Sequence, residues 1–209
     1  VAEWRDSQPE RIAGLVRNAS YASLALVAVL AAVMLATGPY VAEAWLGISV
    51  PGIGVAIRGL SVVAILTITV WLFTQTLLGH GNTRAVTLRL AIGTAVALAG
   101  MAVGAPLGGL VGVIAASFVG ACVAAVLLSR LDADYSAIIW RALARVGPAM
   151  VVLGLVGAVA VDRVNPASRV GALVAAVVAG VVAALVAWVV LPSATRALIV
   201  ATLRQRVGR

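Results

Sequence analysis

Polar and charged residues come in short clusters along the chain, separated by almost wholly apolar runs of about twenty residues. An α-helix of that length crosses roughly 30 Å of hydrocarbon. Six such spans can be drawn, at 19–37, 57–78, 85–104, 109–129, 148–161 and 170–191. The fifth is short and is expected to borrow residues from the segment before it, or to tilt little. The strict alternation of a membrane β-barrel is absent. The pattern therefore predicts an all-α integral membrane protein, a bundle of six transmembrane helices.

Composition agrees. Of 209 residues, 63% are hydrophobic and 11% charged, and the mean hydropathy is +1.15. A soluble domain is nearer half apolar and a quarter charged. The formal charge is +8, which in another chain would point to nucleic acid. Here the charges sit at the ends of apolar runs, so they are read as orientation signals, and no nucleic-acid partner is expected. Every basic residue is an arginine. Arg5, Arg11, Arg17, Arg84, Arg89, Arg130, Arg141, Arg145, Arg196, Arg204, Arg206 and Arg209 fall on one side of the spans; only Arg58, Arg163 and Arg169 fall on the other, the last two partly offset by Asp162. That bias places both termini in the cytoplasm. The expected organisation is a cytoplasmic N-terminal segment (1–18), a six-helix transmembrane lobe (19–191) and a basic cytoplasmic tail (192–209). The expected location is a bacterial cytoplasmic membrane. The first residue is Val1 rather than Met, read as either a missing upstream part or a GTG start.

The connections carry the remaining local signals. Pro39, Pro51 and interspersed glycines argue against a regular helix throughout 38–56. Tyr135, Ile138, Ile139, Ala142 and Val146 share one helical face, as a helix lying on the cytoplasmic surface would arrange them; a plain connection is the alternative. Gly100, Gly104, Gly108 and Gly112, and Ala176, Gly180 and Ala184, make small-residue stripes of the kind that let helices approach closely in lipid.

Chemistry-bearing residues are sparse. The seven acidic residues lie in connections or at span ends, so no paired carboxylates are available for acid–base work and no enzyme activity is expected. His80 and Cys122, one of each and far apart, do not make a metal site, and no cofactor is expected. The "LDAD" of 131–134 fits a helix cap better than the Asp-x-Asp of sugar-nucleotide enzymes. The second span is the most polar. Thr67, Trp71, Thr74 and Leu78 follow one face, and Thr69, Phe73, Thr76 and His80 the next, with Gln75 between. Such a span lines an aqueous cavity, or its hydroxyls bond their own i−4 carbonyls; both readings fit. The "GHGNTR" that follows has the glycines and Asn82 of a tight turn, with Arg84 anchoring the next helix. His80 is either structural or a phosphate or proton contact.

The run 77–128 resembles the C-terminal region of polysaccharide-biosynthesis flippases, the Wzx-like members of the MOP exporter superfamily. The family pattern is a span ending in a Q-x-x-L-x-x-x-G-x-T/R turn, read here from Gln75 through Arg84, with Gln75, Leu78 and Arg84 in place and Asn82 at the glycine position. A long apolar helix follows, and then Gly109, Gly112 and Ala116. The "ATGPYVAEAWLG" of 36–47 is similar to a loop of the same family. The resemblance extends over about 19–191 and implies one lobe of a two-lobed MOP-type (MATE-like) transporter. Such proteins move lipid-linked oligosaccharides across the cytoplasmic membrane by alternating access. The implied partners are the lipid bilayer, a lipid-linked glycan and a second six-helix lobe. The implied substrate path runs along Arg58, Thr67, Trp71, Thr74, Gln75, His80, Arg84 and Arg89, although each arginine also fits a snorkelling anchor. The alternative is a non-transporting scaffold or assembly subunit of a cell-envelope polysaccharide complex.

The arginine bias makes a direct prediction. A reporter fused after Arg209 is expected to be active only in its cytoplasmic form. Activity of a periplasmic reporter at that site would contradict the topology.

Overall fold

The computed structural model describes residues 9–48, 50–166 and 168–207. Among these the chain is all-helical, in the order α1 (Pro9–Leu46), α2 (Ile53–Gly79), α3 (Thr83–Ser129), α4 (Ala133–Val164), α5 (Arg169–Val190) and α6 (Ser193–Val207). The first five are long and apolar enough to cross a membrane, as expected of a multi-pass membrane protein. The sixth, with 15 residues, is too short.

Helix α3 has 47 residues, which would extend about 70 Å if straight. It instead folds back on itself at Gly109, whose φ of 55° and ψ of −134° are not helical. The two legs lie side by side. A Cβ on Gly93 would stand 2.6 Å from that of Ala124, one on Gly100 would stand 3.0 Å from that of Ala116, and the backbones of Gly104 and Gly112 touch directly. These pairs run in opposite chain directions, so α3 is an antiparallel hairpin whose legs are the expected third and fourth spans. Of the expected stripe, Gly108 has open space beside it.

Helix α1 is central and packs against α2, α4 and α5, while the α3 hairpin sits on the outer flank of α2. One buried cluster joins Tyr21, Leu24 and Ala28 to Phe73, Leu77, Leu128, Ile139, Met150, Ala187 and Leu191. These residues belong to the half of each helix nearest the arginine-rich connections. Beyond that core a lateral apolar groove of about 650 Å³ runs between α4 and α5 over Ala32 and Ala36 of α1, as far as Pro166 in the connection between the two helices.

Of the expected N-terminal segment, residues 1–8 lie outside the described residues and the rest is helical and continuous with α1, which starts at Pro9. Other expectations are corrected. The loop expected at 38–56 is mostly helix, because α1 continues through Pro39 to Leu46. The turn is confined to the residues between α1 and α2 and includes Gly47 and Gly52, both with positive φ. The expected surface helix at 132–147 is the first half of α4, which runs on through Pro148. Its buried stripe of Ser136, Ile139, Ala142, Val146, Met150, Gly154 and Ala158 keeps the three-to-four spacing of one helix face. The short fifth span thus does borrow residues from the segment before it. Helix α5 buries Ala172, Ala183 and Ala187, not the stripe expected at 176, 180 and 184; Ala184 is exposed.

The hairpin contact is testable by paired substitutions. Gly112→Val puts a side chain into the backbone of Gly104, which cannot move aside as a flexible side chain would. It is expected to cost about 1–3 kcal/mol, the range for overpacking. Gly108→Ala meets nothing and is expected to be tolerated. Thermal unfolding in detergent compares the two.

Candidate functional site

The expected substrate-path residues are placed at three levels of α2 and the start of α3. At the level expected to face outward lies Arg58. A helix containing proline lacks the N–H that would bond the carbonyl four residues earlier; for Pro39 that carbonyl belongs to Leu35. Arg58 of α2 supplies the missing donor, its Nε lying 3.1 Å from the Leu35 oxygen. The same guanidinium donates through Nη2 to Oδ1 of Asp162 on α4 at 2.6 Å. Tyr40 of α1 donates its hydroxyl to that carboxylate oxygen at 3.0 Å. Arg58 therefore ties α1, α2 and α4 together. Asp162 was expected to offset its neighbours Arg163 and Arg169; its carboxylate is held by Arg58.

At the middle level the threonines of α2 satisfy themselves. Thr67, Thr69, Thr74 and Thr76 donate to the carbonyls of Val63, Ile65, Val70 and Leu72 at 3.0, 2.9, 2.8 and 2.9 Å. Of the two readings left open by the sequence, this is the geometry of the self-bonded one. The two faces separate cleanly. Thr69 and Phe73 are buried, whereas Thr67, Trp71, Gln75 and Leu78 are exposed. Thr67 and Trp71 line a shallow groove of about 540 Å³ with Val27, Leu60 and Val63. Phe73 packs on Trp140 of α4, with ring centroids 5.6 Å apart.

At the inner level the "GHGNTR" turn closes α2. Gly81 takes φ of 81°, Asn82 N–H bonds Leu77 O at 3.2 Å and Gly81 N–H bonds Leu78 O at 3.0 Å. This is a Schellman ending, which needs a left-handed residue where glycine stands. His80 stacks on Tyr135 of α4, with centroids 4.7 Å apart, and its Nδ1 is buried without a hydrogen-bond partner. Nη1 of Arg89 is likewise buried and unpartnered. Arg84 is exposed, as an anchor is. Asp132 is the N-cap of α4, accepting from the backbone N–H groups of Asp134 and Tyr135 at 3.1 and 3.2 Å, which matches the helix-cap reading of "LDAD".

The fold thus brings Thr67 and Trp71 to one groove and leaves Arg58 and the His80–Arg89 region at opposite ends of α2. Among the described residues no three His, Cys, Asp or Glu gather as a metal site requires. Sequence reasoning missed the Pro39–Leu35–Arg58–Asp162 linkage; its one visible signal is a proline inside an otherwise unbroken helical run, which requires a donor from elsewhere.

No family model, curated protein or solved structure matches the chain.

The Arg58 linkage predicts a specific coupling. Arg58→Ala leaves the Leu35 carbonyl bare, whereas Pro39→Ala gives it a helical N–H. In the Pro39→Ala background, Arg58→Ala is expected to cost less than in the natural chain by about 0.5–1.5 kcal/mol, the worth of one hydrogen bond. A double-mutant cycle by unfolding in detergent measures this; strict additivity would contradict the linkage.

Proposed function

We propose that the chain is the C-terminal lobe of a flippase for lipid-linked oligosaccharide or polysaccharide precursors, working by alternating access in a bacterial cytoplasmic membrane. The observation that carries this reading is the apolar groove between α4 and α5. It is a lateral cleft on the flank of the lobe, beyond the packed arginine-rich half of the bundle. Such an apolar flank offers a surface for a lipid tail or a second lobe, as the site of a two-lobed transporter lies where its repeats meet. The family-like order of elements from Gln75 to Ala116 supports the same assignment. In this reading a second six-helix lobe completes the cavity. Thr67 and Trp71 then flank the path, His80, Arg84 and Arg89 meet the pyrophosphate at the inner side, and Arg58 keeps the outer ends of three helices together.

One observation favours the scaffold alternative. The hydroxyls of α2 are spent on its own backbone, so this lobe contributes few free polar groups to an aqueous path.

Disruption of the gene separates the two. The flippase reading expects lipid-linked glycan to accumulate on the cytoplasmic face, with synthesis intact. Export at normal rates would overturn it. Loss of the assembled synthesis complex, with flipping preserved, would support the scaffold.

A further inference from the structure

We propose that the elbow between α5 and α6 is a binding site for the phosphate head group of an anionic phospholipid. Helix α5 stops at Val190, where Leu191 turns extended, with φ of −63° and ψ of 140°. Pro192 follows and α6 restarts at Ser193. A pocket of about 500 Å³ opens in this elbow, lined by Trp188, Ser193, Arg196, Ala197, Val200, Ala201 and Arg204. Residues 196, 200 and 204 are spaced by four and share one face of α6, so both guanidinium groups serve the same pocket. None of the described residues lining it is acidic.

Two features together mark this pocket. The Nε of Arg196 is buried with no hydrogen-bond partner in the fold. A buried donor left unmade is costly, and a phosphate oxygen is the acceptor that a guanidinium fork fits best. The neighbouring Thr195 is 1% exposed and donates to Oδ1 of Asn18 on α1 at 3.1 Å. That contact docks α6 on the bundle and fixes the direction in which Arg196 and Arg204 are presented. Trp188 is partly exposed and has the amphipathic ring that sits at head-group depth. Ala197, Val200 and Ala201 give the glycerol and upper acyl chain an apolar wall. The elbow lies at the arginine-rich end, cytoplasmic by the charge bias, and that leaflet carries anionic lipids that basic pockets beside membrane helices capture. The site does not depend on the flippase reading, because every group in it belongs to this lobe.

The test uses the full chain purified in detergent. Retained phosphatidylglycerol and phosphatidylcholine of matched acyl chains are counted by native mass spectrometry. The natural chain is expected to retain phosphatidylglycerol preferentially. R196Q/R204Q is expected to lower that preference at least about tenfold, the factor carried by one charge-assisted contact. R196K/R204K keeps the charge without the fork, is expected to be intermediate, and serves if the glutamine variant does not fold. Arg163→Gln, at the opposite end, is expected to change nothing. Millimolar inorganic phosphate is expected not to displace the lipid; displacement would overturn the lipid assignment in favour of a free-anion site. Equal retention by the natural chain and both double variants, or an equal loss with Arg163→Gln, would overturn the proposal.

Discussion

Water does not reach a backbone carbonyl buried between membrane helices, so a break in the helical hydrogen-bond ladder there has to be repaired from within the protein. Pro39 makes such a break beside Leu35, a residue 2% exposed at the contact of α1 with α4. Arg58 repairs it from α2, and Asp162 and Tyr40 fix the guanidinium in place. The other helical prolines differ. Pro106 and Pro148 leave the carbonyls of Ala102 and Ala144, which belong to exposed residues. At Pro39 the repair also fastens the outer ends of three helices, where the apolar core has already ended.

The two ends of the lobe are held by different physics. At the arginine-rich end a continuous apolar core joins α1 through α5, capped by the Schellman turn at Gly81, the Asp132 cap and the Asn18–Thr195 bond. At the other end the helices rely on close backbone approach and on the Arg58 linkage. Gly154 stands against Ala32 and Leu35, and Gly157 against Ala36, which binds α4 closely to α1.

What the sequence made legible follows from local rules. The apolar runs, the turn at "GHGNTR", the Asp132 cap and the borrowing by the short fifth span are all written in neighbouring residues. The continuity of α4 was legible too, since Ile139, Ala142, Val146, Met150 and Gly154 keep one helical spacing across Pro148, but the proline and the arginines argued for a boundary there. The persistence of α1 through Pro39 was not legible, because its cause is a donor on another helix, 23 residues away. The hairpin of α3 was legible as two spans, though not through the stripe as a whole, since Gly104 and Gly112 touch and Gly108 touches nothing. For the candidate site, the self-bonding of the α2 threonines was one of two readings the sequence allowed. The commitment of Arg58 to Leu35 and Asp162 was not visible, because both partners lie on other helices.

The central claim is that the Leu35 carbonyl, orphaned by Pro39, is held by Arg58. Isotope-edited infrared spectroscopy of a chain carrying a single labelled carbonyl at Leu35 measures that bond directly. The account predicts a hydrogen-bonded frequency in the natural chain and a shift to higher frequency in Arg58→Ala. An unchanged carbonyl frequency in a folded Arg58→Ala chain would contradict it.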